Sequence, residues 1–144
     1  MSAKRHERTL ARRAALQVLY QGEILDESAA AIVADDRYLV DDGHLPSYSR
    51  DLLELIDQHR DDIDGHLKAT SENWTLGRMP VVDRSILRLA TCEMMYVEDV
   101  PLSVSINEAV ELAKDFGGED DSPRFVNGVL GRIATSLEEE SDDE

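Results

Sequence analysis

A chain of 144 residues, 42% of them hydrophobic, is one domain's worth, and a chain of that size can bury ~70% of its unfolded surface without covalent staples. The lone Cys92 rules out a disulfide framework and is expected to be a buried, structural thiol. No apolar run reaches the length of a membrane span and the basic N-terminus lacks a secretory apolar core, so no membrane is implied and a cytoplasmic location is expected; the formal charge of −16 argues against a nucleic-acid partner unless the charge is unevenly spread.

It is unevenly spread. Residues 1–13 carry five bases, Lys4, Arg5, Arg8, Arg12 and Arg13, against the single acid Glu7, whereas residues 135–144 carry six acids and no base. Helical periodicity dominates and strand alternation is nearly absent, which predicts an all-α fold of about six to seven helices. The first helix is expected from Lys4 or Thr9 to Leu25, with Leu10, Ala14, Val18 and Ala11, Ala15, Leu19 as adjacent apolar rows and Tyr20 packed inward. Ser28 caps a short second helix through Ala30, Ile32 and Val33. Tyr48, Leu52, Leu55, Ile56, His59, Ile63 and Leu67 share one face of a third.

Around Trp74, Gly77 and Pro80 the pattern breaks, and a junction is expected there between an N-terminal three-helix group and a C-terminal helical group packed together. A fourth helix after Pro80 buries Val82, Ile86, Leu89, Ala90, Met94 and Val97. Ser105 and Glu108 have the spacing of a capping box, and Gly117-Gly118 reads as a left-handed stop. Ser122 then reads as the N-cap of a last helix with Pro123 at its first position, buried through Val126, Val129, Leu130, Ile133 and Leu137. Residues 1–136 form the expected domain; residues 137–144 form an acidic tail expected to be disordered.

Catalytic constellations are missing. His59 and His66 stand seven residues apart on one helix, too far for a paired helical metal site, and no P-loop, nucleophile elbow or dinucleotide fingerprint is present. A binding protein without catalytic residues, cofactor or metal is the expectation. Arg5, Arg8 and Arg12 recur at three and four residues, so on a helix they form a ridge able to grip successive phosphates, or else a ridge that merely solubilises the helix. Base selection needs aromatic faces and polar groups. Phe125 beside Arg124, behind Asp120 and Asp121, offers both, unless Phe125 is a core anchor.

The words RRAALQVLYQ, VDRSILRLA, INEAVELAK and FVNGVL, in this order, resemble the NusB family of bacterial transcription antitermination factors from about Arg8 to Ala134. Two departures stand out: the acidic loop before Phe125 is one residue longer than the family pattern, and the acidic tail is an addition. The resemblance implies that the basic segment Lys4, Arg5, Arg8, Arg12 and Arg13 binds the boxA element of nascent ribosomal RNA leaders, a single-stranded RNA. It implies that Asp120 or Asp121, with Arg124 and Phe125, approaches that RNA, the extra residue leaving the two acids indistinguishable. It further implies pairing with NusE, a small-subunit ribosomal protein, on a surface that includes Asp83, and assembly into an antitermination complex on RNA polymerase. For Asp83 the alternative is a carboxylate serving its own helix N-terminus. Two rival readings stay open: a stand-alone relative of the NusB-like domain of ribosomal RNA cytosine methyltransferases, though no glycine-rich cofactor loop is present, and a homodimer whose arm is masked.

Overall fold

The computed structural model describes residues 3–41, 43–71 and 76–142, and Trp74 lies outside them. Seven α-helices and no strand are found among the described residues: α1 Ala3–Leu25, α2 Ala29–Ala34, α3 Ser47–Gln58, α4 Arg60–Thr70, α5 Val81–Tyr96, α6 Leu102–Phe116 and α7 Ser122–Asp142, with a 3-10 turn at Leu76–Arg78. None of these helices is long and apolar enough to cross a membrane. The chain divides into two compact units between Gln58 and His59.

In the first unit α1, α2 and α3 pack pairwise. Ala11, Ala14, Ala15, Leu16, Val18 and Leu19 of α1 are buried, as are Ile32, Leu52, Leu53 and Ile56. Leu10 and Tyr20, expected in the packed rows, stand 44% and 45% exposed, because the buried arc of α1 is the narrower one centred on its alanines. The helix ends in a Schellman arrangement: Asp26 is left-handed at φ 56°, and the Glu27 N–H donates to Gly22 C=O at 2.9 Å. As expected, Ser28 caps α2, its Oγ accepting from the Ala31 N–H at 3.1 Å.

The continuous third helix predicted over residues 48–67 is instead two. His59 leaves helical geometry at φ −117°, ψ 23°, and its ring stacks on Tyr96 with centroids 4.1 Å apart. The apolar period runs through this break undisturbed, so periodicity alone could not show it, and the junction falls at His59 rather than near Pro80.

The second unit is built around α5, which packs against α4, α6 and α7. Every residue from Ser85 to Met94 is buried, not only the expected stripe. The two charged side chains of this run are answered inside the unit: Arg88 forms a two-pronged ion pair with Asp64 at 2.8 and 3.1 Å, and Glu93 accepts from Ser105 Oγ at 2.6 Å; the buried Thr91 Oγ1 has no hydrogen-bond partner. The Ser105 bond corrects the capping-box reading. α6 begins four residues earlier, with Pro101 at its cap, so Ser105 sits within the helix and its hydroxyl serves α5. Val126, Val129, Leu130 and Ile133 of α7 are buried as expected. The same helix continues through residues 137–142, where disorder was expected; Leu137 and three consecutive glutamates are good helix formers.

Candidate RNA-binding surfaces

The basic start of α1 is helical from Ala3 onward. Lys4 and Arg5 are exposed, and Arg8 is half-buried. Arg12 departs from the expected ridge, being only 4% exposed. Tyr48, in the first turn of α3, lies beside both: the Arg8 Cζ is 4.5 Å and the Arg12 Cζ 5.9 Å from the centre of its ring. Next to it, Ser49 donates its hydroxyl to the Ala11 C=O at 2.6 Å in a buried bond that clamps α3 to the middle of the basic segment. Sequence reasoning placed Tyr48 only on an apolar helix face, and no local pattern ties it to arginines forty residues earlier.

Arg13 belongs to a second arrangement. Residues 37–41 run as a strap along α1, held by side chains one turn apart. Gln21 donates to the Arg37 C=O and accepts from the Leu39 N–H, both at 2.9 Å, and Gln17 accepts from the Asp41 N–H at 3.3 Å. Arg13 closes the row with a 3.2 Å ion pair to Asp41. Hydrogen bonding from Gln17 and then Arg13 holds the Asp41 carboxyl below its ordinary range.

In the second unit, the turn between α6 and α7 is gripped by Asp83. This side chain is 2% exposed. Its Oδ1 accepts from the Gly118 N–H at 3.0 Å and its Oδ2 from the Ser122 hydroxyl at 2.7 Å. Ser122 Oγ in turn accepts from the Glu119 N–H at 3.0 Å. Asp83 is thus a buried clasp, which does not agree with an outward carboxylate offered to a partner. Ser122 is likewise not the N-cap. The first helical bond runs from the Phe125 N–H to the Asp121 C=O at 3.0 Å, which puts Asp121 at the cap position and frees Ser122 Oγ for the clasp.

The two glycines also work differently from the expected left-handed stop. Gly117 has φ −55° and ψ 144°, and what both positions require is closeness. A Cβ on Gly118 would come 2.6 Å from the Pro80 Cβ, and one on Gly117 would come 2.6 Å from the Ser122 Cβ.

The turn so held presents Asp120, Asp121 and Arg124 to solvent, with Phe125 half-buried. A concave pocket of about 430 Å³ is lined by Arg78, Met79, Pro80, Asp83, Glu119, Asp121, Ser122 and Phe125. Of the two acids that the sequence left indistinguishable, only Asp121 lines this pocket with Phe125, and both line the hollow that includes Lys114. A planar ring edge, a cation at Arg78 and carboxylate acceptors are groups that can hold a nucleobase. Sequence reasoning missed Arg78, Met79 and Glu119, which reach the pocket through the 3-10 turn and the α6–α7 turn.

Cys92 is buried, as expected, and burial first, then the neighbouring Glu93 charge, pushes its thiol up to about 12.

Comparison with known proteins agrees with this arrangement of helices and turns. A relative from Geobacillus kaustophilus named transcription antitermination protein NusB is 45% identical over 138 residues, covering 94% of this chain and 98% of its own. The solved structure of NusB from T. maritima superposes with a TM-score of 0.77 at 35% identity, covering 89% of this chain and 90% of that one. A structure of the antitermination factors NusB and NusE in complex with dsRNA shares the fold, with a TM-score of 0.72 at 23% identity over 94% of this chain and 99% of that one. The helices from the middle of the basic segment to the end of the α7 core match the NusB family profile over residues 9–135, and the chain belongs to that family.

Proposed function

We propose that this protein is a non-catalytic RNA-binding transcription antitermination factor that joins NusE on boxA RNA of ribosomal RNA leaders and helps to assemble an antitermination complex on RNA polymerase. It would act in the cytoplasm, where those transcripts are made. The observation that carries the reading is the placement of the positive charge. On a chain of net charge −16, α1 begins with the exposed cations Lys4 and Arg5, followed by Arg8 and Arg13 at its surface. Phosphate contacts from such groups give affinity and salt dependence without base choice. Selectivity is assigned to the turn that carries Asp120, Asp121, Arg124 and Phe125, of which Asp121 and Phe125 line the pocket. The names of the relatives support antitermination, and the complex containing NusE and RNA supports the partner classes. Because Asp83 is occupied within the turn, its contribution to partner binding is indirect, through the shape of the surface it holds.

The test is a titration of short leader RNA, with and without NusE, at two salt concentrations. Arg5→Ala, Arg8→Ala and Arg13→Ala together are expected to weaken binding to boxA and scrambled RNA alike and to lower the salt slope by about one per lost contact. An unchanged slope would remove the arm from the mechanism. Phe125→Ala is expected to reduce the preference for boxA; equal losses on both RNAs would assign the ring to the core.

One observation favours a second reading, a homodimer that masks the arm: Leu10, Tyr20 and Ile24 stand exposed on the helix that carries it, at 44%, 45% and 61%. Sedimentation with added RNA decides this, since a masked arm requires dimers to dissociate on binding.

A further inference from the structure

Guanidinium groups on adjacent turns of one helix repel each other, and each carries a long side chain with many rotamers to lose on binding phosphate. Arg8 and Arg12 are nevertheless gathered at one place. Both Cζ atoms lie within 6 Å of one aromatic ring, Tyr48, at 4.5 and 5.9 Å, the range in which the negative face of a ring attracts a cation. The helix that carries the ring is anchored beside it: Ser49 is buried and bonded to the Ala11 C=O at 2.6 Å, between the two arginines in sequence. A guanidinium drawn to a ring has fewer rotamers left to lose when two of its N–H donors grip a phosphate.

We propose that Tyr48 is a positioning residue for RNA binding: its ring holds Arg12 as a buried support and orients Arg8 toward the phosphate backbone, so that part of the ordering cost is met before RNA arrives. The inference rests on the arm being the phosphate-binding element. It assigns to α3 a part in RNA affinity that needs no contact between Tyr48 and the nucleic acid. The exchange of Tyr48 for a residue without an aromatic face leaves the number of cations unchanged, so the salt slope is preserved while affinity falls.

The experiment measures boxA RNA affinity and salt slope for the full chain and for Tyr48→Leu, Tyr48→Phe, Arg8→Ala and the double variant Tyr48→Leu/Arg8→Ala, with thermal melting of each. Tyr48→Leu is expected to bind on the order of fivefold more weakly with an unchanged salt slope. Tyr48→Phe is expected to restore binding to near the parent level. In the Arg8→Ala background, Tyr48→Leu is expected to have little further effect, because the two act through one another. Additive losses in the double variant, a Tyr48→Phe as weak as Tyr48→Leu, or a Tyr48→Leu that binds like the parent would each overturn the proposal. If Tyr48→Leu melts at a temperature too low for binding to be measured, Tyr48→Met, alone and combined with Arg8→Ala, takes its place, with the same expected loss at an unchanged slope and the same outcomes overturning the proposal. A parent protein that does not bind RNA would instead sink the functional reading beneath.

Discussion

Asp83 is where a single side chain determines most. Its carboxylate is nearly fully buried and accepts from a backbone N–H and a hydroxyl on two ends of one turn. Asp83→Ala leaves the buried Ser122 hydroxyl and the Gly118 N–H without this acceptor, and a loss of about 1–3 kcal/mol in stability is expected from urea unfolding. Cys92 makes a second prediction with a definite sign. The native thiol keeps its proton up to about 12, whereas an unfolded thiol loses it at ~8.5. Between those values the unfolded state binds fewer protons than the native one, so stability falls as pH rises through that window and is unaffected by this group below it. The same burial predicts that a thiol reagent modifies Cys92 only as fast as the protein opens, with rapid reaction in denaturant.

Among the elements, the α6–α7 connection depends on two glycines for closeness, and α7 contains a glycine that does no such work. Gly118→Ala pushes a methyl group against Pro80 and is expected to cost ~1–3 kcal/mol. Gly131→Ala has open space around it in the same unit, and removing helical glycine is expected to stabilise by ~0.5–1 kcal/mol. Thermal melts of the two variants should move in opposite directions. Helix identity was legible because the 3.6-residue period and the start signals at Ser28 and Pro80 are local. The break at His59 was not, since the stacking of its ring on Tyr96 is a tertiary fact. Nor were the uses of Ser105 and Ser122: both look like caps in isolation, and each is taken instead by a carboxylate on α5. For the candidate surfaces, the arginines and Phe125 could be picked out by residue type, but Tyr48 joins the arginines, and Arg78 joins Phe125, only through folding.

For the molecule as a whole, net charge and local charge make opposite forecasts about salt. If repulsion between an anionic protein and RNA governed binding, added salt would screen it and strengthen the complex. If the basic turns of α1 govern, salt weakens the complex, because counterions released from phosphates must be returned. The arrangement of Lys4, Arg5, Arg8 and Arg13 predicts the second outcome, and titrations between about 50 and 200 mM salt check it. Binding that strengthens with salt would place the contact elsewhere.

The clasp at Asp83 has an evolutionary consequence. One carboxylate pins residue 118 with one oxygen and residue 122 with the other, so the three positions between behave like a rope fastened at both posts. Lengthening the rope makes it bow outward into water and leaves the posts, and the axis of α7, where they were. Relatives can therefore vary the number and order of acids at this lip without refolding the scaffold behind it.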